Sequence, residues 1–172
     1  GRRQRQMCIR DRRWEFTPTE RISTYLTAIV AGPYVGGTGS YTSTDGRVIP
    51  MGVYARASLG EYLDAQECID ITIQGMEVFE NEFDVPYPFR KYDQIFVPEF
   101  NAGAMEHPGC VTILDDYVFR SRPTAALVER RAITIIHELA HMWFGDLVTM
   151  RWWNDLWLNE SFAEFMSHVA TA

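Results

Sequence analysis

HELAHMWFGDLVTMRWWNDLWLNESFAEF, residues 137–165, is the stretch whose reading decides the fold. It opens with two histidines, His137 and His141, four positions apart, with Glu138 directly after the first. On an α-helix four residues advance roughly 400°, so the two imidazoles stand about 40° apart on one face, one turn displaced. Imidazoles so placed can share a single metal ion. Glu138 sits about 100° round the axis, within reach of a water at the metal without ligating the metal itself. Around the motif Ile133, Ile135, Ile136, Leu139, Trp143 and Phe144 are apolar. Histidines and a glutamate in such a helix are expensive to bury unless paired or metal-bound. Glu160 offers a third ligand, with eighteen residues between it and His141. A connection through Gly145 and Asp146 and a second helix returning alongside would use that spacing. Two imidazole nitrogens with one carboxylate oxygen suit Zn²⁺, one ion per chain. Glu164, one turn beyond Glu160, could hold the second N–H of a ligating histidine.

Outside this stretch the composition is that of an ordinary globular chain, with 172 residues, 47% hydrophobic and 23% charged. Net charge is −7. Residues 1–13 hold six arginines and one aspartate, a local +5, which leaves −12 on residues 14–172. An acidic body argues against nucleic acid and suits cationic partners. The longest uncharged run, residues 22–44, is interrupted by Gly32, Pro33, Gly36, Gly37 and Gly39, so no membrane segment is expected. Cys8, Cys68 and Cys110 form no CxxC pair, which predicts a reducing, cytoplasmic location. The opening GRRQRQMCIRDRR differs from everything after it and reads as a non-native leader.

From Trp14 to about Arg56 the chain reads as strands and turns. Ile22–Val30 and Val48–Tyr54 are rich in β-branched and aromatic residues, and the glycine-laden run between them reads as turns. We expect the tail of an all-β domain at 14–57. Ser58 and Glu61 have capping-box spacing, which predicts a helix from Ser58 to about Asn81. Short strands are expected at Asp93–Val97 and Cys110–Leu114 around the loop-like GAMEHPG, 103–109. A second helix is predicted from Thr124 to Phe144, stopped by Gly145, and a third from Asn154 or Asp155 onward. Trp143, Trp152, Trp153 and Trp157 flank these helices and are expected to pack them together. Read alone, Glu106 is an acidic loop residue with a solvated role. His168 reads as a surface histidine.

The stretch 137–165 resembles the zinc-binding signature of the aminopeptidase N family of gluzincin metallopeptidases, and GAMEHPG resembles that family's exopeptidase motif GAMEN. STYLTAIVAGPY (23–34), PYPFRKYDQIFVPEFNAGAME (86–106) and VTILDDYVFRS (111–121) extend the resemblance over nearly all of the chain from Trp14. It implies an α+β architecture in which residues 58–172 are the first half of a thermolysin-like catalytic domain. It places the zinc ligands on His137, His141 and Glu160 and the general base on Glu138. The family's recognition glutamate falls on Glu106, whose carboxylate would pair with the free N-terminal amine of a peptide substrate. Gly103 and Ala104 match positions whose backbone lies beside the bound peptide. His107 stands where the motif has asparagine.

The resemblance implies a zinc aminopeptidase. A related class resembling leukotriene hydrolase opens an epoxide at the same site, and a non-catalytic zinc-binding relative is a third reading. The four intact residues His137, Glu138, His141 and Glu160 favour catalysis. The family draws an oxyanion donor from a tyrosine well downstream of the zinc glutamate, and no tyrosine follows Glu160. The chain is therefore expected to be an internal fragment, very weakly active by itself.

Overall fold

The computed structural model describes residues 15–172. The basic leader read at 1–13 lies outside the described residues. The first strand, β1 (Tyr34–Thr42), pairs antiparallel with β2 (Val48–Arg56) across a turn at Asp45 and Gly46. Helix α1 (Ala65–Phe83) then crosses to β3 (Tyr92–Val97), which lies parallel to β2. The two-residue β4 (Ala104–Met105) and β5 (Val111–Leu114) complete a five-stranded sheet in the order β1-β2-β3-β5-β4, with β3 and β5 parallel and β4 antiparallel at the edge. Helices α2 (Ala125–His141) and α3 (Glu160–Thr171) follow. The fold mixes α and β as expected.

Val48–Tyr54, Asp93–Val97 and Cys110–Leu114 correspond to β2, β3 and β5 as expected, but the first strand comes from a different stretch than the sequence suggested. Ile22–Val30 forms no strand; it holds a single 3-10 turn at Thr24–Leu26. The strand lies instead in the glycine-rich run that reads as turns. Gly37 and Gly39 explain the reversal, because a Cβ at either would come within 2.9 Å of Ala65 or Ile69 of α1. Glycine here lets the helix lie directly against the sheet, so packing overrides the turn signal. The sheet also continues through residue 56, since Met51–Tyr54 of β2 pairs with Tyr92–Ile95 of β3. One sheet therefore holds strands from both sides of the change of sequence pattern at Arg56.

The capping box is also replaced. Ser58 and Glu61 lie in a 3-10 turn at Ala57–Tyr62, and α1 starts at Ala65. Asp64 precedes it but makes no side-chain cap bond. Its carboxylate is turned to the buried Arg131 of α2, at 3.2 and 3.3 Å from the two terminal nitrogens, beside Glu67 at 2.8 Å. The ion pair with a desolvated guanidinium draws the carboxylate away from the cap position.

Met51, Val53, Phe79, Phe96, Ile113, Ile135 and Leu139 form the centre of one continuous core between sheet and helices. At its edge Glu80 is buried and accepts four hydrogen bonds, from Tyr41 Oη (3.0 Å), Ser43 Oγ (2.6 Å) and the backbone N–H groups of Thr44 (2.7 Å) and Tyr87 (2.6 Å). One carboxylate therefore ties the β1–β2 hairpin and the 84–91 connection to α1. Among the described tryptophans only Trp143 packs as expected. Its ring meets Phe79, Phe83 and Tyr87, and its Nε1–H donates to Val85 O at 3.0 Å. Trp152, Trp153 and Trp157 are exposed, because residues 153–158 wind as a 3-10 turn that presents no face to the core. Among the described residues no helix is long and apolar enough to cross a membrane.

Candidate metal centre

Helix α2 is capped by Thr124, whose hydroxyl accepts from Leu127 N–H, and runs to His141 rather than to Phe144. Helix α3 begins later than the sequence suggested: after the 3-10 turn, Asn159 takes φ −80° and ψ −82°, and Glu160 is the first helical residue. This bend brings the start of α3 against the end of α2. His137 Nε2 and His141 Nε2 are 3.0 Å apart, and Glu160 Oε2 is 3.6 Å from each. The three sequence-predicted ligands thus converge.

The donor set fits zinc. His137 Nδ1 faces Glu164 Oε2 at 3.0 Å, and His141 Nδ1 faces Phe144 O at 3.0 Å. Both Nδ1 atoms therefore donate, which turns the Nε2 lone pairs toward each other. Two lone pairs at that separation need a cation between them, a metal ion or a bound proton. A tetrahedral ion with bonds of about 2.0–2.1 Å spaces its donors by roughly 3.3 Å, between the two separations observed. Glu164 takes the position expected for it, one turn beyond Glu160. His168 is exposed and rests on Glu164 Oε1 at 3.3 Å.

Beside the triad lies a buried acidic pocket. Glu138 is 5% exposed, Glu106 4% and Asp146 4%. One donor atom each from Glu106, Glu138 and His141 lie within 4.8 Å of one another. Glu106 follows β4 directly, so its depth corrects the solvated role that the bare sequence suggested. Among the described residues Glu138 Oε2 and both Asp146 carboxylate oxygens have no hydrogen-bond partner. Burial pushes the Glu138 carboxyl up to about 8; His141 opposes this, while Glu106 and Glu160 add to it. Burial and the charge of Glu106 likewise raise Asp146 to about 8. Burial would lower His141, but the Glu160 carboxylate 3.6 Å away and the charges of Glu106 and Glu138 carry it up to about 9. The rings of His137 and His141, each 3.6 Å away, hold Glu160 well below the usual carboxylate range. The pocket is built to receive positive charge.

Sequence reasoning missed Asp146 and Tyr25. Asp146 reads as a turn residue after Gly145, and only its position after an apolar helix hinted at burial. Tyr25 belongs to a stretch read as a strand, yet its hydroxyl donates to Glu106 Oε1 at 3.2 Å. His107 belongs to neither candidate ligand group among the described residues, and its Nδ1 lies 2.9 Å from Leu26 O. Gly103 and Ala104 lie at the sheet edge, where Gly103 O accepts from Leu114 N at 2.9 Å and Ala104 pairs with Ile113.

Gly145 keeps this junction open. Its φ is +127°, and a Cβ there would stand 2.5 Å from Asn159 Oδ1 and 3.2 Å from His141 Nδ1. Gly145→Ala should therefore cost about 2–4 kcal/mol, from backbone strain and overpacking together. It should also weaken metal binding by displacing His141. Thermal unfolding and a zinc titration check both effects; a variant with unchanged midpoint and affinity would contradict the packing described.

Residues 67–172 match the peptidase family M1 domain. Aminopeptidase N of Streptomyces lividans is 61% identical over 163 residues, which cover 95% of this chain and 19% of that protein. Tricorn protease-interacting factor F2 of Thermoplasma volcanium is 44% identical over 155 residues, 90% of this chain and 19% of the relative. Aminopeptidase N of Mus musculus is 38% identical over 157 residues, 90% and 16%. The chain spans about a fifth of the length of the curated relatives it matches. With His137, His141 and Glu160 meeting at one point and Glu138 beside them, and with these matches over most of its length, the chain belongs to peptidase family M1.

Proposed function

We propose that this chain carries the metal site of a zinc-dependent aminopeptidase, acting on peptides with a free N-terminal amine. The observation that carries the reading is the triangle of His137 Nε2, His141 Nε2 and Glu160 Oε2, with sides of 3.0 and 3.6 Å, beside the buried Glu106 and Glu138. His137, His141 and Glu160 would hold one zinc ion, and Glu164 would orient His137. The ion would supply Lewis-acid polarisation of the scissile carbonyl and a more acidic water. Glu138 takes a proton from the attacking water and passes it to the departing amine. Glu106 pairs with the substrate's α-ammonium group, and this fixes how far the scissile bond stands from the chain end. Gly103 and Ala104 offer edge backbone against which an extended peptide can lie. In this reading the sheet and helices α1 to α3 are the first half of a thermolysin-like catalytic domain. A cytoplasmic location accompanies it, supported by the free thiols of Cys68 and Cys110.

Zinc binding tests the proposal directly. Equilibrium dialysis with atomic absorption should find one zinc per chain. Glu164→Ala should weaken the affinity by about 10–100-fold, the usual effect of removing a carboxylate that orients a ligating histidine. The 172-residue chain should bind zinc with very little turnover. A polypeptide of its relatives' length should hydrolyse amino-acid anilides and spare N-acetylated ones. A chain that binds no zinc, or a long form that cleaves both substrates equally, would sink the reading.

A further inference from the structure

The turn at Thr24–Leu26 lies far from the metal triad in sequence but against it in space. Leu26 anchors the turn through a buried side chain, and its carbonyl oxygen lies 2.9 Å from His107 Nδ1, which donates to it. The neighbouring Tyr25 is half-exposed, yet its hydroxyl turns inward to donate to Glu106 Oε1 at 3.2 Å. The Tyr25 hydroxyl oxygen also accepts from Asn159 Nδ2 at 3.5 Å, at the residue preceding Glu160. One hydroxyl thus stands between the acid proposed to receive the substrate's ammonium group and the start of the helix that carries the proposed third ligand.

We infer that Tyr25 is a positioning residue that holds the Glu106 carboxylate at a set distance from the metal triad, and that His107 clips its turn in place. The inference rests on the peptidase reading above and deepens it. Glu106 is buried beside the acidic groups of Glu138 and Asp146, and their crowding favours swinging it away. A hydrogen bond to one oxygen opposes that motion and leaves the other oxygen for an ammonium group. His107, which differs from the asparagine of the related motif, makes the contact that ties the turn to the loop bearing Glu106. Neither residue touches the reacting atoms. Their effect should therefore fall on substrate capture rather than on the chemical step.

Tyr25→Phe keeps the ring and removes only the hydroxyl. In zinc-loaded protein carrying this chain at its relatives' length, KM for an amino-acid anilide should rise about tenfold with kcat within about twofold, because the lost interaction is made equally in ground and transition states. The inhibition constant of an amino-acid amide should rise in parallel, while that of its N-acetyl analogue stays unchanged. Zinc content should remain at one ion per chain. His107→Ala, a second route to the same turn, should raise KM in the same direction by about threefold. Unchanged KM in Tyr25→Phe would overturn the inference, as would an equal fall in kcat with loss of zinc, which would mark a structural role. If Tyr25→Phe does not fold, His107→Ala decides: unchanged KM overturns the inference. Should the unsubstituted protein fail to hydrolyse any free-amine substrate, the peptidase reading falls and this inference with it. Normal hydrolysis with no change in either variant removes the Tyr25 role alone.

Discussion

Glu138→Gln should lower turnover by about 10²–10⁴-fold while leaving zinc bound at one ion per chain. The expectation follows from where the carboxylate stands. It lies on α2 next to His137 and outside the triangle of His137, His141 and Glu160. It is buried, and its Oε2 has no partner among the described residues. A carboxylate that neither ligates nor anchors the fold, yet is desolvated beside the ligand set, is free to exchange a proton with substrate or water. Glutamine preserves the shape and removes that capacity. Turnover and zinc content, measured on the same preparation at its relatives' length, separate the possibilities. Unchanged turnover would favour the non-catalytic reading, and loss of zinc would make Glu138 a part of the ligand set.

The largest expected effect on stability lies at Glu80, far from the metal centre. Glu80→Ala should cost about 3–5 kcal/mol, because two hydroxyls and two backbone N–H groups lose their acceptor at once in a buried place. For a domain of this size that corresponds to a fall in Tm of roughly 10 °C. Burial would raise this carboxyl, but the hydrogen bonds from Ser43, Thr44 and Tyr87 outweigh it and hold the group below its ordinary value. Its contribution is therefore complete above the ordinary glutamate range and is lost as the pH falls through the depressed folded-state value. Thermal unfolding at pH 7 should separate the two proteins, and the gap should narrow in acid. A gap that stays constant down to pH 3, or none at pH 7, would refute the account. The hairpin that Glu80 ties down belongs to the same sheet as β3, β5 and β4, so its loosening should reach the loop that bears Glu106.

Much of the candidate site could be read from spacing. His137, Glu138 and His141 have their relative angles set by the 3.6-residue period of α2, and Glu164 follows Glu160 by one turn of α3. Those relations are local and need only the helices to exist. Their meeting was foreseeable from chemistry, since an apolar helix does not bury two histidines without a use for them. The element boundaries were less legible. The capping box at Ser58 lost because Asp64 and Glu67 are drawn to Arg131, a residue more than sixty positions away. The strand at Tyr34–Thr42 hides in a glycine-rich run because glycine there serves the approach of α1 rather than a turn.

The sequence by itself determined the ligand types, their helical phase and the acidic character of the chain, all properties of single residues or of neighbours one turn apart. Tertiary structure alone decided that Glu106 and Asp146 are buried, that Tyr25 reaches Glu106 across 81 positions, and that three of the four tryptophans near the site face solvent. The division has a physical cause. Helical phase follows from backbone geometry, which every residue shares, whereas burial and long-range hydrogen bonds depend on which surfaces the packed sheet and helices bring together.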